Sequence, residues 1–67
     1  MKGSQLIKLL QRKGCVVLRR KSSHVRVQCG KCKTTIPVHK GEDIKTGTLA
    51  SIRRDLEPCL GKDWWKH

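Results

Sequence analysis

The stretch His24-Val25-Arg26-Val27-Gln28-Cys29-Gly30-Lys31-Cys32-Lys33-Thr34-Thr35-Ile36-Pro37-Val38 decides the fold. Its first six residues alternate. Val25, Val27 and Cys29 fall on one side of an extended chain, and His24, Arg26 and Gln28 on the other. That is the pattern of a strand with one buried face and one wet face. Gly30-Lys31 suits a two-residue hairpin loop. Residues 33–38 return as a second strand with Thr34, Ile36 and Val38 inward. Pro37 brings no amide proton to a ladder, which places this strand at a sheet edge.

Working outward, Lys21-Ser22-Ser23 reads as a turn, and Cys15 to Lys21, opening on a β-branched pair, as another strand. Ser4 is a candidate cap for a helix that runs to about Lys13 and stops at Gly14, with Leu6, Ile7, Leu9 and Leu10 on one face. Downstream, His39 to Lys45 is polar. Thr46 or Thr48 then caps a second helix, whose Leu49, Ile52 and Leu56 share a face and which Pro58 ends at or before Glu57. The result is an α+β fold of order αβββα: a three-stranded antiparallel sheet with two helices on one face. Residues 1–57 form the domain, and residues 58–67 are a C-terminal tail with little pattern beyond Trp64 and Trp65.

A chain of 67 residues makes one small domain with a thin core. Both aromatic residues lie in the tail, so the core is aliphatic: Leu6, Ile7, Leu9, Leu10, Val16, Leu18, Val25, Val27, Ile36, Val38, Leu49, Ile52 and Leu56 are the candidates. Sixteen Lys and Arg against five Asp and Glu give a net charge of +11. Self-repulsion at that density calls for an anionic partner, with nucleic acid first, an acidic protein second and a membrane surface third. No apolar run approaches the roughly 20 residues of a membrane span. The N-terminal segment lacks the apolar run and cleavage site of a signal peptide. The expected location is the cytoplasm, where cysteines stay reduced, so a disulfide framework is the weaker reading of Cys15, Cys29, Cys32 and Cys59.

The alternation puts His24 on the wet face, beside Arg26 and just after Arg19, Arg20 and Lys21. Phosphates collect at such a place. An imidazole beside a phosphate can take the proton of a ribose 2′-hydroxyl, which then attacks phosphorus, while a nearby cation stabilises the charge that develops. A histidine in a basic patch is equally the mark of a surface that only binds RNA. Ser22 and Ser23 either close the turn or position His24 or a phosphate. His39 is either a loop residue or an assistant in RNA binding or proton transfer.

Two longer stretches, KGSQLIKLLQRKGCVVLRRKSSH over 2–24 and KTTIPVHKGEDIKTGTLASIRRDL over 33–56, resemble the HicA family of toxins from HicA–HicB toxin–antitoxin systems. The marks are the opening helix ending at Gly14, Ser22-Ser23-His24, Ile36-Pro37-Val38-His39, and Lys45-Thr46-Gly47-Thr48-Leu49 with Ile52. The resemblance implies a compact αβββα fold related to double-stranded-RNA-binding domains. It also implies a ribosome-independent ribonuclease that cleaves mRNA with one catalytic histidine, at the position of His24. Arg19, Arg20, Lys21, Ser22, Ser23 and Arg26 are then the RNA-binding candidates, catalysis requires no cofactor, and the expected partner besides mRNA is a HicB-type antitoxin that covers His24. The alternatives are a non-catalytic RNA-binding module of the same fold and a zinc-stabilised interaction domain.

Cys29-Gly30-Lys31-Cys32 departs from the family pattern. Two cysteines at this spacing are half of a structural zinc site, which needs four ligands. Cys59 with His67, or Cys15, would have to complete it, or two chains share the ion. The pair also fits a cross-strand disulfide or two free thiols. Cys15 reads most simply as a small core residue. Trp64 and Trp65 either cover an edge of the core or stack on RNA bases or a partner protein.

Overall fold

A computed structural model describes residues 1–65 of the 67. The elements run α1 (Gly3–Arg12), β1 (Val16–Lys21), β2 (His24–Cys29), β3 (Cys32–Pro37) and α2 (Thr46–Leu60). The strands form one antiparallel sheet in the order β1-β2-β3. The αβββα order and the edge position of Pro37 agree with the sequence. Gly14, with φ of 93°, follows the Lys13 C-cap as expected of a residue that must adopt positive φ there.

The core lies between the sheet and the helices. Leu6, Leu10, Val27, Ile36 and Leu56 are fully buried, and Val25, Ile7, Ile52, Cys15, Cys29, Ile44 and Trp64 join them. Leu9, Val38 and Leu49 are partly buried against this cluster. Val16 and Leu18 depart from expectation and are exposed. β1 is an edge strand, and it carries a bulge: Val17 pairs with Val27 and Arg19 with Arg26, leaving Leu18 as an extra residue. Val16 pairs with Gln28 and so shares the uncovered side of the sheet.

Neither Ser4 nor Thr46 or Thr48 is a cap. The N-cap residues are Lys2 and Lys45, both extended. The Lys2 amide donates to the Gln5 side-chain carbonyl at 2.9 Å, which satisfies the start of α1 without a hydroxyl. α2 begins beside buried Ile44, whose amide donates to the Met1 carbonyl at 2.8 Å. Gly3 is required where α1 meets β3, because a Cβ there would collide with the Pro37 carbonyl.

α2 does not stop at Glu57. It runs through Pro58 to Leu60, and the Gly61 amide closes its last turn on the Glu57 carbonyl at 2.8 Å. Pro58 forfeits one helical hydrogen bond. Leu60 packs on the core and Cys59 is bonded to Cys32, so tertiary anchors hold the turn that propensity would break. After Gly61 the chain folds back. Trp64 is buried and its indole N–H donates to the Arg53 carbonyl at 3.2 Å, so it covers a core edge and is not free to stack on RNA. The Arg53 guanidinium lies 3.8 Å from the centre of the Trp65 ring.

The cysteines are neither free nor joined across the hairpin. Cys15 is bonded to Cys29 and Cys32 to Cys59. The β1–β2 register explains the first pair, since Cys15 adjoins the Val16–Gln28 pair and thus lies opposite Cys29. The last turn of α2 delivers Cys59 to Cys32. His67, named above as a zinc ligand, lies outside the described residues. No helix among the described residues is long and apolar enough to cross a membrane.

Candidate functional site on the open face of the sheet

The open face is a grid set by the strand registers. Lys21, His24 and Pro37 form one row, Arg19, Arg26 and Thr35 the next, and Val16, Gln28 and Lys33 the third. No carboxylate occurs in these rows. His24 is exposed at the start of β2, the central strand, with Lys21 across one ladder and Pro37 across the other. Directly opposed side chains in such a sheet sit with Cβ atoms about 4.5–5.5 Å apart, and diagonal ones remain within reach of long side chains. Arg19, Lys21, His24, Arg26 and Thr35 line a shallow hollow of about 160 Å³.

Two contacts fix this grid. The Arg26 guanidinium donates to the Thr35 hydroxyl at 2.9 Å, which lays Arg26 across the face toward β3. The Val38 amide donates to the Ser23 carbonyl at 2.6 Å, which ties the turn before His24 to the end of β3. Ser22 holds a positive φ of 55° in that turn, a conformation costly for a residue with a Cβ and found where the surroundings enforce it.

The bulge in β1 determines which cations join His24. With strict alternation from inward-facing Val17, Arg20 would point to the His24 side and Arg19 and Lys21 to the helices. The extra residue Leu18 reverses this. Arg19 and Lys21 share the face of His24, whereas Arg20 pairs with Val25 and lines a separate cleft with Ser4, Ile7, Lys8, Gln11 and Val38. The structure thus gathers Arg19, Lys21, His24 and Arg26 and leaves Arg20 out. Ser22 and Ser23 form the turn beside them. His39 lies beyond the end of β3, where it lines a neighbouring pocket of about 280 Å³ with Pro37, Glu42, Asp43, Ile44, Lys45 and Thr48. Thr35 and Lys33 belong to the face and were passed over in the sequence. Their odd-numbered places, alternating with inward Thr34 and Ile36, were the available signal.

Chemically, the face offers one imidazole and three cations around a hollow open to solvent. That set can hold a phosphodiester and exchange a proton with a group beside it.

A family profile described as "HicA toxin of bacterial toxin-antitoxin" matches residues 3–57. No curated protein and no solved structure gives a significant match to the chain.

Proposed function

We propose that this chain, which belongs to the HicA toxin family of toxin–antitoxin systems, is an mRNA endoribonuclease that works through His24. One observation carries the reading: an exposed imidazole on the central strand lies in the cationic hollow, with Arg19, Lys21 and Arg26 around it. RNA lies on the open face with a phosphate against Arg26 and Arg19. His24 takes the proton of the adjacent ribose 2′-hydroxyl. The 2′-oxygen bonds to phosphorus, the P–O5′ bond breaks, the departing 5′-oxygen takes a proton from water in the open hollow, and the His24 imidazolium returns its proton to solvent. The fragments end in a 2′,3′-cyclic phosphate and a 5′-hydroxyl. Arg26, held by Thr35, together with Arg19 and Lys21, stabilises the additional charge on the phosphoryl oxygens. Proton transfer by a positioned imidazole supplies about 10² to 10⁴ in rate. His24, the three cations and water supply every group this scheme uses, so it calls on neither a cofactor nor the ribosome.

As a toxin of this family the chain has an antitoxin partner. We assign a HicB-type protein that offers carboxylates to the open face, since opposite charge gives fast, steered association. It covers His24, Arg26 and Lys21, so RNA and antitoxin compete. A ternary complex that keeps cutting at saturating antitoxin would contradict this form of inhibition.

The test is incubation of purified protein with RNA in excess EDTA. Fragments bearing 2′,3′-cyclic phosphate and 5′-hydroxyl ends are expected. Tight, salt-sensitive binding with no cleavage would instead identify a non-catalytic RNA-binding module, and 3′-hydroxyl products would exclude attack by the 2′-oxygen.

A further inference from the structure

All four cysteines of the chain meet at one corner of the fold, at the end of the sheet away from His24. Cys15 precedes β1, Cys29 ends β2, Cys32 opens β3 and Cys59 lies in the last turn of α2. Cys29 and Cys32 are direct cross-strand partners and face the helices, in line with the Val27–Thr34 and Val25–Ile36 pairs. Cys15 reaches Cys29 from one side and Cys59 reaches Cys32 from the other. The Cys59 sulfur also overhangs the hairpin loop, 3.9 Å from where a Cβ at Gly30 would lie. With the sulfurs bonded to one another, no metal-holding cluster exists among the described residues.

We propose that in its reduced form this corner is a closed tetrathiolate site for Zn²⁺, with Cys15, Cys29, Cys32 and Cys59 as the four ligands. Two independent staples have no reason to adjoin, whereas a four-ligand site requires convergence. Zinc takes four thiolates in a tetrahedron at about 2.3 Å, and a C-x-x-C turn supplies two of them from one hairpin. The Cβ atoms of opposed strand residues, about 4.5–5.5 Å apart, leave Cys29 and Cys32 able to share an ion. Zn²⁺ with four thiolates carries a net double negative charge. Lys31 in the loop, within a chain of net charge +11, offsets that charge. Cys15 and Cys29 are buried while Cys59 is exposed, so the site has a shielded floor and an open side through which metal and reductant enter. A domain this small is of the size that relies on such a staple.

The disulfide-bonded corner is the oxidised, metal-free form of the same site. A dithiol reductant gives two electrons and two protons to each disulfide and leaves as its own disulfide. Binding of Zn²⁺ to the four thiols then releases four protons. This inference is independent of the role of His24.

The experiment is titration of the full chain, reduced and metal-free, with Co²⁺ and then Zn²⁺. One Co²⁺ per chain with the intense visible bands of a tetrahedral tetrathiolate is expected, and Zn²⁺ should displace it one for one. Cys15→Ser and Cys59→Ser should each lower Co²⁺ affinity at least tenfold and alter the bands. Circular dichroism read alongside shows whether a reduced variant folds on adding metal, so a metal-dependent fold does not hide the result. Absence of cobalt bands in the reduced wild type would overturn the proposal. So would bands unchanged by both substitutions, because the metal would then sit on the Cys29–Cys32 knuckle without the other two ligands.

Discussion

The two faces of the sheet are made by alternate residues of the same strands, and they are specialised for opposite tasks. On the covered face Val25, Val27 and Ile36 are all but excluded from solvent, and the buried Thr34 hydroxyl is satisfied by donating to the Asp55 carboxylate at 3.0 Å. On the open face, His24, Arg26, Arg19 and Lys21 bury little, and among the described residues the side-chain hydrogen bond they make is that of Arg26 to Thr35. Stability is therefore concentrated on one side and charge on the other. A side chain on the open face can be changed for chemical reasons at small cost to folding, because exposed sites away from special features shift stability by about 0.5 kcal/mol or less.

The largest loss of stability is expected on the covered side. Leu56→Ala removes a fully buried side chain from the C-terminal half of α2 and should cost about 2 to 5 kcal/mol in urea unfolding. A cost near zero would mean that α2 does not seal the core. Gly3→Ala should cost about 1 to 3 kcal/mol through overpacking against the Pro37 carbonyl. It also sharpens the comparison, since Pro37 is the ladder partner of His24. Cleavage by folded Gly3→Ala protein should fall, whereas an unchanged rate would show that the two faces do not communicate at that point.

The β1 bulge gives the smallest but most selective prediction. Arg26→Ala and Arg20→Ala remove the same charge from opposite faces. Each phosphate contact contributes a countable part of the slope of log affinity against log salt, about 0.7 for a single strand. Arg26→Ala should flatten the slope by roughly that amount and Arg20→Ala should leave it within error. Equal effects would place RNA on both faces and abolish the distinction drawn from the bulge.

These contrasts also mark what was legible beforehand. β2 could be read from its own residues because one side is dry and the other wet, so hydrophobicity follows the pleat. β1 could not. As an edge strand it buries little, and its bulge at Leu18 leaves no trace in composition, so Val16 and Leu18 seemed core residues and Arg20 seemed a neighbour of His24. The end of α2 was missed for a related reason. Pro58 is a local signal, and the anchors that override it, Leu60 on the core and Cys59 on Cys32, are long-range. The cysteine pairing is likewise a property of register and helix placement. The place of His24 on the open face was legible from the alternation, while a catalytic role for it is what the family resemblance carried by Ser22-Ser23-His24 implies. The hydrogen bond that orients Arg26 became visible only once β3 was laid beside β2.

The most direct test of the division between the faces is His24→Ala, read twice on the same preparation. The cleavage rate on RNA in EDTA should fall by about 10² to 10⁴, while the melting temperature and most of the RNA affinity stay at the wild-type values. Wild-type cleavage by the purified variant would remove His24 from the chemistry. A rate lost together with the fold would show that His24 belongs to the structure of the sheet and not to a face set apart for catalysis.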